Sequence, residues 1–211
     1  MEKLVFSSEN LNLELIKEKV KAGSIVIYPT DTVYGVGADI FSLAGIEKIY
    51  AAKERNFTSP LIALISDRKY VEEIAYIDEE NRDRVQALME NFWPGGLTII
   101  LRKKDVVPGI MVSNGETVGV RIPNHKISME IIESVGGIMP TTSANISGEK
   151  TPRSFEELSQ VFKERVDILI DGGASPLGTE STIIDMSKNI PKILREGSIS
   201  KSEIEKVIGK F

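Results

Sequence analysis

The chain has 211 residues, no cysteine, one histidine, and 26 basic against 31 acidic side chains, for a formal net charge of −5. The lack of cysteine excludes a disulfide framework, a thiolate zinc site, an iron–sulfur cluster and a cysteine nucleophile, and a single histidine excludes a multi-histidine metal site. The acidic balance argues against a general polyanion coat, which needs cation excess, but leaves room for a local basic pocket around one small anion.

The apolar fraction of 41% and charged fraction of 27% are those of a globular chain, long enough to bury most of its apolar surface unaided. Residues 1–10 carry Glu2, Lys3 and Glu9 and no long apolar core, so they do not read as a signal peptide, and no run reaches the roughly 18 apolar residues of a membrane span. The expectation is a cytoplasmic protein without membrane contact.

Taken in chain order, Leu11, Leu15, Ile16, Val20 and Ala22 recur at helical spacing before Gly23, which predicts a first helix and its stop. A buried strand follows over 24–28, ended by Pro29, then a helix over 43–53 with Ile46, Ile49 and Tyr50 on one face, and a strand over 61–65. Helical stretches are expected over 70–75 and 79–91, strands over 97–101 and 118–122, a helix over 128–135 and a strand over 137–140. The remainder reads as a helix over 154–162, strands over 166–170, 182–185 and 192–194, and a closing helix over 200–208 whose Ser200 and Glu203 form a capping-box pattern. No repeat or linker divides the chain. The expected fold is one α/β domain over 1–211 (core about 11–200), with a twisted, mostly mixed sheet flanked by helices.

The notable polar residues follow apolar strands, where open α/β sheets bind ligands. Thr30 and Thr32 in Pro29-Thr30-Asp31-Thr32-Val33-Tyr34-Gly35-Val36-Gly37 suit turn chemistry or a small polar ligand, and Ile40 at the third glycine position rules out a dinucleotide loop. Lys53 and Arg55 at a helix end are explained either by the helix dipole or as phosphate ligands projecting into a cleft. The run Pro140-Thr141-Thr142-Ser143-Ala144-Asn145-Ile146-Ser147-Gly148 reads as a polar loop or as an anion-binding nest. Residues 173–180 have the glycine spacing of a Walker loop, but Thr179 and Glu180 fill the Lys and Ser/Thr slots, so this is no P-loop. His125 reads as a cap or surface residue, and no Gly-x-Ser-x-Gly elbow supports a hydrolase triad.

In combination these segments resemble the YrdC/Sua5 family, the threonylcarbamoyl-AMP synthases. Seven blocks stand in the family's order: 29–37, Lys53-x-Arg55 with Pro60-Leu61, Phe92-Trp93-Pro94-Gly95, Val120-Arg121-Ile122-Pro123, Ser143-Ala144-Asn145-x-Ser147-Gly148, Glu180-Ser181-Thr182 and Leu194-Arg195-x-Gly197. The resemblance implies a concave basic cleft and a reaction in which L-threonine, bicarbonate or CO2 and ATP yield threonylcarbamoyl-adenylate and pyrophosphate. The product would pass to a transferase complex that modifies tRNA. By the same resemblance Lys53 and Arg55 are catalytic. Together with Ser59, Thr117, Ser143, Asn145, Thr151 and Arg195 they bind ATP, accompanied by Mg²⁺ with unassigned ligands. Thr32, Arg121, Thr141 and Ser181 form the threonine subsite, with Arg121 facing the carboxylate.

Three departures from the family pattern stand out: Asn56–Ser59 differs from the commoner Pro-x-Asn-Asn form, Leu64 replaces a histidine often found nearby, and the short single-domain form is the one resembled. An RNA-binding module with direct tRNA contact, or a paralogue with another carbamoyl-type substrate, remain the alternatives.

Overall fold

The structure, a computed structural model, describes residues 3–211. Its elements are β1 (Leu4–Ser7), α1 (Leu13–Lys21), β2 (Val26–Tyr28), β3 (Gly35–Gly37), α2 (Leu43–Ala52), β4 (Ile62–Ile65), α3 (Val71–Ile74), β5 (Ala75–Tyr76) and α4 (Arg82–Phe92). They continue as β6 (Leu97–Lys103), β7 (Thr117–Arg121), α5 (Lys126–Ser134), β8 (Ile138–Ser143), α6 (Gln160–Glu164), β9 (Ile168–Asp171), β10 (Thr182–Asp185), β11 (Lys192–Arg195) and α7 (Lys201–Ile208).

The strands join in one sheet of order β1-β9-β2-β3-β8-β4-β7-β6-β10-β11, with β5 added to β6. It is mixed, as expected: β1–β9, β9–β2, β4–β7 and β6–β10 are parallel, and the β10–β11 hairpin is antiparallel. Neighbouring residues of its strands enter different cores. Val26 and Tyr28 of β2 join Leu64, Ile168 and Ile170 under α1 and α5, whereas Ile27, Ala63, Ile65 and Leu169 join the larger core that also holds Ile46 and Ile49 of α2 and Leu88 of α4. With helices on both faces, these strands read as unbroken apolar runs rather than as polar alternation.

Five segments differ from the sequence expectation. The glycine-bounded β3 was expected as loop. It pairs with β2 and β8, and a Cβ at Gly37 would lie 2.8 Å from Met139 Cε and 3.1 Å from Thr141 Oγ1. Glycine, usually a weak strand former, is required here by a close strand crossing. Strand β8 continues through Thr141, Thr142 and Ser143, so the first half of the supposed polar loop is ladder, consistent with the β-branched threonines. The helix expected over 154–162 is displaced to α6, where Ser159 caps Phe162 N at 3.2 Å. Strands β1 and β5 were not anticipated; each is short and gains its order from a partner, β9 and β6 respectively.

The closing helix forms as the capping box predicts. Ser200 Oγ accepts from Glu203 N at 3.3 Å and Glu203 Oε2 accepts from Ser200 N at 2.8 Å. This holds α7 with Ile204 buried in the larger core. Ser200→Ala is expected to lower unfolding free energy by about 1 kcal/mol, read as a shift in the urea midpoint at constant slope. Among the described residues no helix is long and apolar enough to cross a membrane.

Candidate functional site

A cavity of about 260 Å³ opens where the 30–35 segment, β4, β7, β8 and the β10–β11 hairpin meet. Thr30 shapes the first wall. Its hydroxyl donates to Val33 O at 2.7 Å and accepts from the amides of Thr32 and Val33 at 3.2 and 3.3 Å, the turn chemistry read from the sequence. That turn aims Thr32 at Arg121, which ends β7 and is 3% exposed. The guanidinium is held on three sides: Nη1 donates to Thr32 Oγ1 at 2.8 Å, Nε to Gly95 O at 2.8 Å, and Nη2 to Asp31 Oδ1. Burial pulls the Arg121 guanidinium below the ordinary arginine value, and Asp31 opposes that shift.

Thr141 lies on β8, separated from β7 by β4. It donates to Met139 O at 3.0 Å, which leaves its oxygen to accept from the Tyr28 hydroxyl at 2.7 Å. Opposite, Arg195 leaves β11 and donates through Nη1 to Glu180 Oε2 at 2.8 Å and through Nε to Ser181 O at 3.1 Å. Ser181 Oγ lies 2.9 Å from Thr98 Oγ1. A Cβ at Gly197 would collide with Glu180 O and come 2.7 Å from the Ser181 carbonyl carbon, so this glycine lets the two backbones pass close enough to place Glu180 and Ser181.

The Lys53–Arg55 pair behaves asymmetrically. Arg55 does project into the cavity, with Nη1 on Thr142 Oγ1 at 2.8 Å and Nη2 on Pro60 O at 3.2 Å. Lys53, expected beside it, instead lies behind the wall at 2% exposure. Its Nζ donates to Ser143 O, to Asn145 O at 2.7 Å and to Asn145 Oδ1 at 3.2 Å. Lys53 is the C-cap residue of α2 and turns toward the carbonyls at the end of β8 rather than toward open space. Among the described residues neither Lys53 nor Arg55 has a carboxylate within ion-pair distance, whereas Arg121 and Arg195 pair with Asp31 and Glu180. The uncompensated positive charge therefore lies at the Lys53–Arg55 end.

Burial, reinforced by Arg55 and opposed by Glu180, draws the Lys53 ammonium down to about 7. An unfolded lysine keeps its proton to 10.5, so over this window the unfolded chain binds more protons, and Lys53 makes the fold more stable as pH rises from about 7 toward 10.5. Anion affinity at this end should fall over the first part of that rise, as the ammonium is lost. Titration of inorganic pyrophosphate binding against pH checks this, and a flat profile between pH 6 and 9 would contradict it.

Seven of the twelve residues named from sequence line the cavity: Thr32, Arg55, Arg121, Thr141, Ser143, Ser181 and Arg195. Thr151 lines an adjoining cavity of about 300 Å³ that shares Val33, Glu180 and Arg195 with the first. Asn145 borders a third, of about 230 Å³, and its amide is committed to Ile146 O and Glu149 O at 3.1 and 2.8 Å. Two residues are not brought in. Ser59 lies outside the lining, with its carbonyl under the Tyr50 hydroxyl at 3.0 Å, and Thr117 stands opposite Arg102 at the far end of β7 from Arg121. His125 occupies the N-cap of α5 but makes no capping bond, and its Nδ1 is buried without a partner among the described residues. The 173–181 loop leads into β10 rather than a helix, so it lacks the helix N-terminus a P-loop uses. Asp31 and Glu180, the carboxylates that pair the site arginines, were not singled out. Asp31 sits between Thr30 and Thr32 in a run that the structure buries, and a charge that is buried is paired.

The family model Sua5_yciO_yrdC, described as "Telomere recombination", matches residues 18–197. The chain belongs to the Sua5/YciO/YrdC family. Within it, the Threonylcarbamoyl-AMP synthase of Pyrococcus abyssi is 38% identical over 91% of this chain and 56% of its own length. The Putative threonylcarbamoyl-AMP synthase of Methanocaldococcus jannaschii is 36% identical over 89% of this chain and 86% of its own. The chain spans about half the length of the P. abyssi and Bacillus subtilis relatives, 56% and 54%. P. abyssi Sua5 complexed with L-threonine superimposes with a TM-score of 0.89 at 34% identity, covering 99% of this chain and 61% of that one. Escherichia coli YciO superimposes with a TM-score of 0.77 at 27% identity, covering 93% and 95%. The mixed α/β fold is thus the family's.

Proposed function

We propose that the chain is an L-threonylcarbamoyladenylate synthase, a nucleotidyltransferase that converts L-threonine, bicarbonate or CO2 and ATP to threonylcarbamoyl-AMP and pyrophosphate. The observation that carries this is the division of charge around the cavity: Arg121, paired with the buried Asp31, at one end, and Arg55 with Lys53 behind it, neither within ion-pair distance of a carboxylate among the described residues, at the other. A polar zwitterion suits the first end and a polyphosphate the second. The threonine complex of P. abyssi Sua5 and the names of the relatives point the same way.

In this proposal Arg121 receives the threonine carboxylate, and the hydroxyls of Thr32, Thr141 and Ser181 surround the rest of the molecule. Leu64 and Ile62, on the apolar side of the cavity, suit the threonine methyl, and no imidazole is needed there. The threonine ammonium and bicarbonate condense to the carbamate with loss of water and of one proton to solvent, and the carbamate oxygen attacks the α-phosphorus of ATP with pyrophosphate leaving. The protein supplies alignment and charge stabilisation rather than a nucleophile. Arg55 reaches the phosphates directly. Lys53 fixes the Ser143–Asn145 backbone and adds its charge from behind, so Asn145 is a positioning residue. Arg195 and Thr151 extend the nucleotide site into the adjoining cavity. Ser59 and Thr117 carry no contact in this arrangement.

Among the described residues no group of three His, Cys, Asp or Glu side chains could hold a metal ion. A Mg²⁺ accompanying ATP would take its ligands from nucleotide phosphates and waters. When bound, such an ion would offset charge on the β- and γ-phosphates. A reaction fed by ATP and free threonine belongs in the cytoplasm, and its adenylate would go to a tRNA-modifying transferase.

The test is to incubate the pure chain with ATP, bicarbonate and L-threonine and to measure pyrophosphate together with the adenylate. Threonine-dependent release of both is the expected result, and release independent of threonine would sink the proposal. Salt-sensitive tRNA binding without that chemistry would favour the RNA-binding alternative instead.

A further inference from the structure

The cavity is lined by three arginines and by a single carboxylate, Glu180. Asp31 cannot serve the cavity directly. It lies outside the lining, 3% exposed, with Oδ1 engaged by Arg121. Glu180 is different. Oε2 accepts from Arg195 at 2.8 Å, Oε1 has no hydrogen-bond partner among the described residues, and the side chain keeps 37% of its surface open. It stands next to Ser181, just before β10, and lines both this cavity and the adjoining one.

An α-amino acid enters such a site with a carboxylate and an ammonium. The carboxylate has Arg121. The ammonium sheds water on entry and needs an acceptor of opposite charge to replace it, and the lining offers that charge only at Glu180. We infer that Glu180 is the specificity-determining residue that anchors the substrate's α-ammonium, so that the site selects α-amino acids over the corresponding 2-hydroxy acids. This rests on the amino-acid end of the cavity proposed above. The pairing with Arg195 engages Oε2, and the second oxygen remains available to the ligand.

Calorimetric titration of the full chain with L-threonine, with 2,3-dihydroxybutanoate (threonine with the amine replaced by a hydroxyl) and with Mg·ATP tests this. The unsubstituted chain should prefer threonine by at least tenfold, the size of one charge-assisted hydrogen bond. In Glu180→Gln, threonine should weaken by about that factor while the hydroxy acid is unchanged, so the preference collapses. Glu180→Asp, which retains the charge on a shorter arm, should recover part of it. Circular dichroism and the thermal midpoint of each variant establish that the fold is intact.

A preference that survives Glu180→Gln overturns the inference. So does equal weakening of both ligands, or an effect confined to Mg·ATP, which would make Glu180 a partner of the nucleotide's metal. If the unsubstituted chain binds no threonine at all, the amino-acid reading itself fails. Threonine binding with unchanged discrimination removes only the role of Glu180.

Discussion

Arg121→Ala should abolish measurable threonine binding and destabilise the fold by about 3–5 kcal/mol, the range for breaking one partner out of a buried ion pair. Arg121 and Asp31 have side chains only 4% exposed, so truncating the arginine strands a carboxylate that already has one oxygen, Oδ2, without a partner. The same truncation removes the donors that hold Thr32 and the Gly95 carbonyl in place. Replacing both members of the pair with apolar residues of similar volume, Arg121→Met with Asp31→Leu, should restore most of the stability while leaving binding absent. Urea denaturation and calorimetric titration on the three proteins separate the two effects. Retention of binding in Arg121→Ala would remove Arg121 from the site.

Lys53→Ala should lower turnover by about a hundredfold or more, on the scale of losing one preorganised charge at a reacting phosphate, and should also loosen the end of β8. Three oxygens of Ser143 and Asn145 lose their common donor, so the thermal midpoint falls together with kcat. Lys53→Arg should rescue little, because a planar guanidinium does not fit a pocket built around a compact ammonium. Arg55→Ala should raise the ATP KM with a small change in midpoint, since its guanidinium reaches only one hydroxyl and one carbonyl at the cavity edge. Steady-state kinetics beside thermal unfolding distinguishes these profiles. Equal loss of stability in both variants would remove the distinction drawn between the two cations.

The sequence carried the helices and the long apolar strands well, because burial on both faces writes them as uninterrupted hydrophobic runs and because Ser200 and Glu203 announce their own cap. It carried β3 poorly. Two glycines in three residues suggest a turn, and only the approach of Met139 and Thr141 from β8 explains them as strand. Local spacing put Lys53 and Arg55 together at a helix end. It could not say that one enters the cavity and the other turns back onto carbonyls about 90 residues later in the chain (|i−j| of 90 and 92). The pairing of Asp31 and Glu180 with Arg121 and Arg195 is illegible in the sequence for a related reason: only the closed sheet creates it. Ser59 and Thr117, carried over from the resemblance alone, lie outside the lining of the main cavity.

The strand order has a consequence for how the molecule comes into being. Strand β2 finds one neighbour in β3 and the other only in β9, while β6 waits for β10. The cavity walls reach from Thr30 to Arg195, so no emerging fragment that stops short of Arg195 has the complete site. Such remote pairings make folding slow, and any ligand that fits the cavity must stabilise the completed fold as a unit rather than a part of it.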